Sequence, residues 1–135
     1  MNFGFSSAVR LKRGWQFDLV FRTGRRETGE LVRLFFLDRP NDGTLVGVTV
    51  GRKIANAAKR TRGRRILRES FRRLLPWIRD GVWIVGSLRE NALDLSAQDI
   101  YLDIGRSMKR RGLMNNDWPG PDWTIDKKGT DEHSI

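Results

Sequence analysis

The 135-residue chain contains no cysteine and a single histidine, His133. The first absence removes disulfides, zinc fingers, thiol nucleophiles and iron–sulfur clusters together. The second leaves Ser-His-Asp and Cys-His arrangements without their base. A metal would have to be held by carboxylates alone, and no close acidic pair on one helix face suggests such a site. Long hydrophobic runs are also missing. The longest, such as Leu34-Phe35-Phe36-Leu37, are strand-sized, far short of the roughly 20 residues a membrane helix needs. No apolar run followed by a small-residue cleavage site opens the chain. These absences point to a cytoplasmic protein with no membrane partner, no metal of its own and no protein-borne catalytic residue.

What the chain has is positive charge in one place. It carries 26 Lys and Arg against 16 Asp and Glu, a net charge of +10. Residues 52–73 hold ten of those cations and one acid, Glu69, so one short segment accounts for +9 of the total. The remainder is nearly neutral. Charge gathered in this way marks a polyanion site. The 39% of hydrophobic residues is still enough to build one core in a chain of this length.

Read in order, residues 12–22 form a short amphipathic helix, with Phe17, Val20 and Phe21 at helical spacing and Gly24 as its stop. Residues 31–37 read as a strand, and 39–43 as a turn in which Asp42-Gly43 supplies positive-φ chemistry. Residues 45–50 then return as the second strand of a hairpin. A second helix begins between Asn56 and Lys59 and ends near Pro76. Residues 82–85 give a third strand. Ser96 and Asp99 open a last helix with Ile100, Ile104 and Met108 in its stripe and Gly112 beyond its end. The order helix, strand, strand, helix, strand, helix predicts an α+β sandwich with helices over one sheet face. Residues 1–114 form the single domain. Residues 115–135, with two Lys against five acids, read as an acidic, disordered tail in which Trp118 and Trp123 have no evident role.

On a helical wheel Leu67, Phe71, Leu74, Leu75 and Ile78 share one edge, while Arg62, Arg64, Arg65, Arg68, Arg72 and Arg73 spread over the opposite arc. A merely solvated face would intersperse acids for i,i+4 pairing, and only Glu69 is present to do so. Seven Arg and no Lys occupy 60–73. The planar guanidinium fork suits phosphate and base stacking, so nucleic acid is the favoured partner. No helix-turn-helix, zinc site or leucine heptad sets a DNA geometry. The aromatic residues Phe17, Phe21, Phe35 and Phe36 offer platforms for unpaired bases, which favours RNA over DNA. By spacing alone Phe17 and Phe21 read first as ordinary core packing, the usual role of an apolar helix stripe. Gly63 inside the helix costs about 1 kcal/mol relative to Ala.

The run Val46-Gly47-Val48-Thr49-Val50-Gly51-Arg52-Lys53-Ile54-Ala55-Asn56-Ala57-Ala58-Lys59-Arg60-Thr61-Arg62-Gly63-Arg64-Arg65-Ile66-Leu67-Arg68-Glu69-Ser70-Phe71-Arg72 resembles the signature of the bacterial ribonuclease P protein family. Arg10-Leu11-Lys12 followed by Phe17, Val20-Phe21 and Gly24 resembles its start, and the likeness runs over about residues 10–113. The family usually has Arg-Asn-Arg where this chain has Arg60-Thr61-Arg62, and an apolar or small residue where it has Gly63.

The resemblance implies an α–β sandwich like one domain of a ribosomal protein, with a left-handed strand–helix–strand crossover. It implies the protein subunit of ribonuclease P, which assembles with a catalytic RNA and removes the 5′ leader from precursor tRNA. Mg²⁺ bound mainly by that RNA would perform the phosphodiester hydrolysis, and the protein would bind no cofactor of its own. By position, the implied RNA-binding set is Arg52, Lys53, Asn56, Lys59, Arg60, Arg62, Arg64, Arg65, Arg68 and Arg72. The implied leader cleft is Phe17, Phe21 and Phe35, with Arg89 at its edge. The alternative is a non-catalytic RNA-binding protein of ribosomal type using the same basic helix.

Overall fold

The computed structural model describes residues 7–123, so His133 and the acidic stretch from 124 onward lie outside the described residues. Three α-helices and four strands follow in the order α1 (Gly14–Thr23), β1 (Arg25–Thr28), β2 (Val32–Asp38), β3 (Leu45–Val50), α2 (Ala57–Leu74), β4 (Val82–Leu88) and α3 (Ala97–Arg110), an α+β fold. Both long helices start where side-chain caps allow. Asn56 Oδ1 accepts the Lys59 backbone N–H at 2.9 Å, and Ser96 Oγ accepts that of Asp99 at 3.1 Å.

The sheet order is β1-β2-β4-β3. The expected hairpin between residues 31–37 and 45–50 is therefore not formed. β4 lies between those two strands, antiparallel to β2 and parallel to β3. Among the described residues the positive-φ ones are Gly81, Gly112 and Gly120, not Gly43, so no tight hairpin turn returns the chain onto β2. The true hairpin is β1 with β2, and β3, α2 and β4 make a parallel crossover.

The helices occupy both faces of the sheet, not one. Val32, Leu34 and Phe36 of β2, with Ile84 and Leu88 of β4, point into the main core against α2 and α3. The alternate residues Phe35, Leu37, Trp83 and Val85 pack under α1 with Leu11 and Val20. A central strand covered on both sides must be apolar throughout, which is why residues 82–85 read as an unbroken apolar run.

β1 has no apolar pattern of its own and is held by its neighbours. In the turn joining it to β2, the carboxylate of Asp103 in α3 accepts the backbone N–H groups of Glu30 (3.1 Å), Leu31 (2.9 Å) and Val32 (3.0 Å). Asp103→Ala is expected to cost about 2–4 kcal/mol, because one buried and two half-buried donors lose their acceptor. Urea unfolding checks this, and a loss below about 1 kcal/mol would mean that the turn holds itself.

The domain does not end at 114. Residues 115–123 fold back over α2 and α3, and Trp118, 9% exposed, belongs to the main core. Met114 bridges Ile78, and the Asn115 N–H donates to the Trp77 carbonyl at 2.7 Å. The Asp122 N–H donates to the Tyr101 hydroxyl at 2.9 Å. Trp123 lies 5.4 Å from Tyr101, ring to ring. Two indoles anchor this strap, and charge composition alone hid them.

Candidate nucleic-acid interface

α2 turns Gly63, Leu67, Ser70, Phe71 and Leu74 inward. A Cβ on Gly63 would stand 2.9 Å from Val50 and 3.0 Å from Leu88. The glycine is thus explained by close approach of the helix to β3 and β4, which outweighs its propensity cost.

The expected RNA-binding residues divide into two groups. Arg64, Arg65 and Arg68 face outward near the middle of the helix. Arg68 is joined by Arg10, which the bridge to Val46 holds beside β3. Partial burial lowers the Arg68 pKa, and the like charges of Arg10 and Arg64 lower it further; a phosphate would relieve that repulsion. Arg52 and Lys53 are exposed in the turn between β3 and α2.

The others already have work inside the fold. Arg62 forks onto two carbonyls of the loop before α3, Leu93 at 2.7 Å and Leu95 at 2.9 Å. Arg60 donates to the Ala55 carbonyl at 2.8 Å. Lys59 pairs with Asp94 at 3.5 Å, and Asn56 is the helix cap. Arg72 makes a two-pronged contact with Glu69 at 2.9 and 2.7 Å.

Arg73, placed by the wheel on the outward arc, is buried at 3% exposure. Its guanidinium lies 4.1 Å over the Trp123 ring, donates to the Trp123 carbonyl at 2.6 Å and pairs with Glu69 at 3.0 Å. Burial would raise the Glu69 carboxyl, but hydrogen bonds and charge from Arg72 and Arg73 outweigh it and hold the pKa below the usual range. Thr61, where the resemblance leads one to expect Asn, turns its hydroxyl back to donate to the Ala57 carbonyl at 3.1 Å.

The face under α1 holds the aromatic residues. Phe21 is 41% exposed and meets Phe35 edge-on at 4.8 Å, with Phe17 6.4 Å from Phe21. Phe17 lies on Gly47, where a Cβ would come within 2.6 Å of its ring. Phe17 is therefore both packing and lining, whereas Phe21 is free to be a platform. Beside them the register aligns Thr28, Arg33, Ser87 and Thr49 in one row across all four strands. α1 leaves this polar row uncovered. The row was legible from strand alternation, but Arg33 was not singled out there.

At its end a cavity of about 380 Å³ is lined by Arg33, Ile54, Leu88, Arg89, Glu90 and Asn91. Arg89 lines this cavity and donates to the Gly29 carbonyl at 2.9 Å. Ile54 sits in the turn that carries Arg52 and Lys53, so groove and basic helix are continuous at this end.

One acid, Glu90, lines this cavity with Arg33 and Arg89, while on and beside α2 Glu69 and Asp94 are engaged in ion pairs. Among the described residues no group of three or more His, Cys, Asp or Glu side chains stands together as metal ligands. No helix there is long and apolar enough to cross a membrane.

An arginine-faced helix beside an open, aromatic-floored sheet face, on an α–β sandwich, is the arrangement of an RNA-binding protein. Residues 5–112 match the ribonuclease P family model. The ribonuclease P protein component of Symbiobacterium thermophilum is 32% identical over 111 residues, covering 82% of this chain and 96% of that protein. That of Natranaerobius thermophilus is 31% identical over 109 residues, covering 81% and 95%. Among solved structures, the RNase P protein from Thermotoga maritima superposes with a TM-score of 0.67 at 27% identity, covering 75% of this chain and 96% of that one. The Staphylococcus aureus RNase P protein shares the fold, with a TM-score of 0.71 at 20% identity. The chain belongs to the ribonuclease P protein family: it is the protein subunit of the ribonucleoprotein that matures tRNA 5′ ends. Family membership decides against the ribosomal alternative.

Proposed function

We propose that α2 docks on the ribonuclease P RNA through Arg64, Arg65 and Arg68, with Arg52 and Lys53 extending the contact. Arg60, Arg62, Lys59, Asn56 and Arg72 shape that surface, and they reach RNA only with whatever donors their internal contacts leave over. The single-stranded 5′ leader of precursor tRNA lies in the groove, stacked on Phe21 and Phe35, with Phe17 as floor and Arg33 and Arg89 beside its phosphates. This assignment gives the protein a cytoplasmic setting with RNA, not DNA or membrane, as its partner.

Mg²⁺ held by the RNA would supply the hydrolytic chemistry. Several acids of the chain already have partners. Asp103 is committed to three backbone amides, Glu69 to Arg72 and Arg73, and Glu27 to Arg110 and Arg111. What the protein supplies is orientation: cations hold phosphates in register while the aromatic floor accepts bases of any sequence.

The observation that carries this reading is the 41% exposure of Phe21 on the groove side of α1, edge-on to Phe35. Phe21→Ala should weaken binding of leader-bearing precursor to the reconstituted holoenzyme about fivefold or more, as loss of one base–aromatic stack does. Affinity for mature tRNA should stay unchanged. Equal loss for both RNAs would remove the leader from this groove.

A further inference from the structure

α1 divides its sheet face into two flanks. At 100° per residue Phe17 and Phe21 lie to one side of the buried Val20, and Trp15 and Leu19 to the other. The second flank faces the row Leu37, Trp83 and Leu45. Nothing in the leader groove uses it. Trp15 is 55% exposed, more than any other large apolar side chain described, with its ring 6.0 Å from that of Trp83. Trp83 is 4% exposed, and the Arg39 guanidinium lies 4.3 Å over its ring. The Trp83 indole N–H has no acceptor among the described residues, so ring contacts rather than a hydrogen bond of its own hold it.

We propose that Trp15, backed by Trp83, is a second stacking platform that takes an unpaired base of the ribonuclease P RNA subunit. This rests on the reading that α2 docks on that RNA.

Three features favour RNA over a protein partner. The exposed Lys12 and Arg13 lie three and two residues before Trp15, and the Arg39 guanidinium covers the Trp83 ring behind it. Asp42 is paired with Arg39 at 2.8 Å and Asp38 with Arg79 at 2.5 Å, which leaves Asp18 on α1 as the acid nearest in sequence to Trp15. An exposed indole flanked by cations is the arrangement that holds a base by its face and its phosphate by charge.

Continuity favours the RNA subunit over the leader. Arg10, two residues before Lys12, bridges Val46 of β3 near enough to Arg68 of α2 for its charge to be felt there, so cations mark the path from the docking helix to Trp15. The leader groove, by contrast, lies across the body of α1.

The test measures binding of the protein to the RNA subunit alone over a series of KCl concentrations. Trp15→Leu keeps apolar cover over Trp83 but removes the π face. It should bind at least about fivefold more weakly with an unchanged salt slope, since stacking releases no counterions. Trp15→Phe should recover most of the affinity. The holoenzyme's preference for leader-bearing over mature tRNA should be unaltered in both.

Unchanged affinity of Trp15→Leu for the RNA subunit overturns the platform. So does a shallower salt slope, which would trace the loss to charge, and so does a loss confined to leader-bearing tRNA. Should Trp15→Leu fold poorly, fluorescence decides with the unsubstituted protein. The RNA subunit should quench emission by a share that Trp15→Phe removes, and identical quenching in both overturns the proposal. Arg65→Ala, titrated alongside, tests the docking helix separately: an unchanged slope there would remove that reading while leaving the Trp15 arms interpretable.

Discussion

Ending the chain at Met114 is expected to lower the thermal unfolding midpoint by about 10 °C or more, although everything removed lies beyond the 5–112 span of the family match. Trp118 is nine-tenths buried in the main core, packed against Gly105 of α3. Removing a buried Trp costs about 3–5 kcal/mol, transfer and cavity together, a large part of the roughly 5–15 kcal/mol that holds a domain. At a few degrees per kcal/mol for this size, the shift follows. The truncation also takes the Trp123 ring and carbonyl from Arg73, opening a guanidinium that the strap had covered and shifting it towards its pair with Glu69. Glu69 is shared with Arg72, so the loss should reach the surface charge pattern at the end of α2. Trp118→Ala should reproduce most of the shift, and circular dichroism melts of both variants measure it. A truncated protein melting within about 2 °C of the full chain would show that the strap merely rests on the surface.

The elements legible in the sequence were those whose local signals and tertiary roles agree. α2 and α3 each carry a side-chain cap, an apolar stripe and a terminator. The helix bounds therefore fell within a residue or two. Strand order was not legible, because residues 31–37 and 45–50 with a turn between them satisfy every local rule for a hairpin. What separates them is β4, whose two apolar faces require cover from α1 on one side and α2 with α3 on the other. β1 escaped notice because Arg25-Arg26-Glu27-Thr28 buries almost nothing and is kept in place by Asp103, some 70 residues away in sequence.

The site shows the same division. The basic face of α2 was visible as charge and period. The inward turn of Arg73 and the fork of Arg62 depend on carbonyls from the strap and from the loop before α3, which a helical wheel cannot contain. The double role of Phe17 depends on Gly47, a residue without a side chain to announce it.

Replacing Arg64, Arg65 and Arg68 together by Ala should reduce affinity for the ribonuclease P RNA by two orders of magnitude or more at moderate salt. Each charge-assisted contact contributes about 1.5–3 kcal/mol when made, so three give ample margin even if one is only partly formed. The sharper readout is the salt dependence. Three lost phosphate contacts should flatten the slope of log K against log salt by about 2–3, at about 0.7–0.9 per contact. Stability should hold or rise slightly. Partial burial and then the like charges of Arg10 and Arg64 lower the Arg68 pKa, so its loss relieves strain, and Ala is the better helix former. Arg62→Ala should behave in the opposite way. It releases the carbonyls of Leu93 and Leu95 and so destabilises the fold by about 1–3 kcal/mol, while changing the salt slope by at most about one contact. Read together, a flattened slope with an intact melt for the triple variant and a lowered melt with a preserved slope for Arg62→Ala would separate the arginines that meet RNA from those that build the surface. If both sets flattened the slope equally, the internal contacts of Arg62 would have to open on binding, and the division drawn here within α2 would fail.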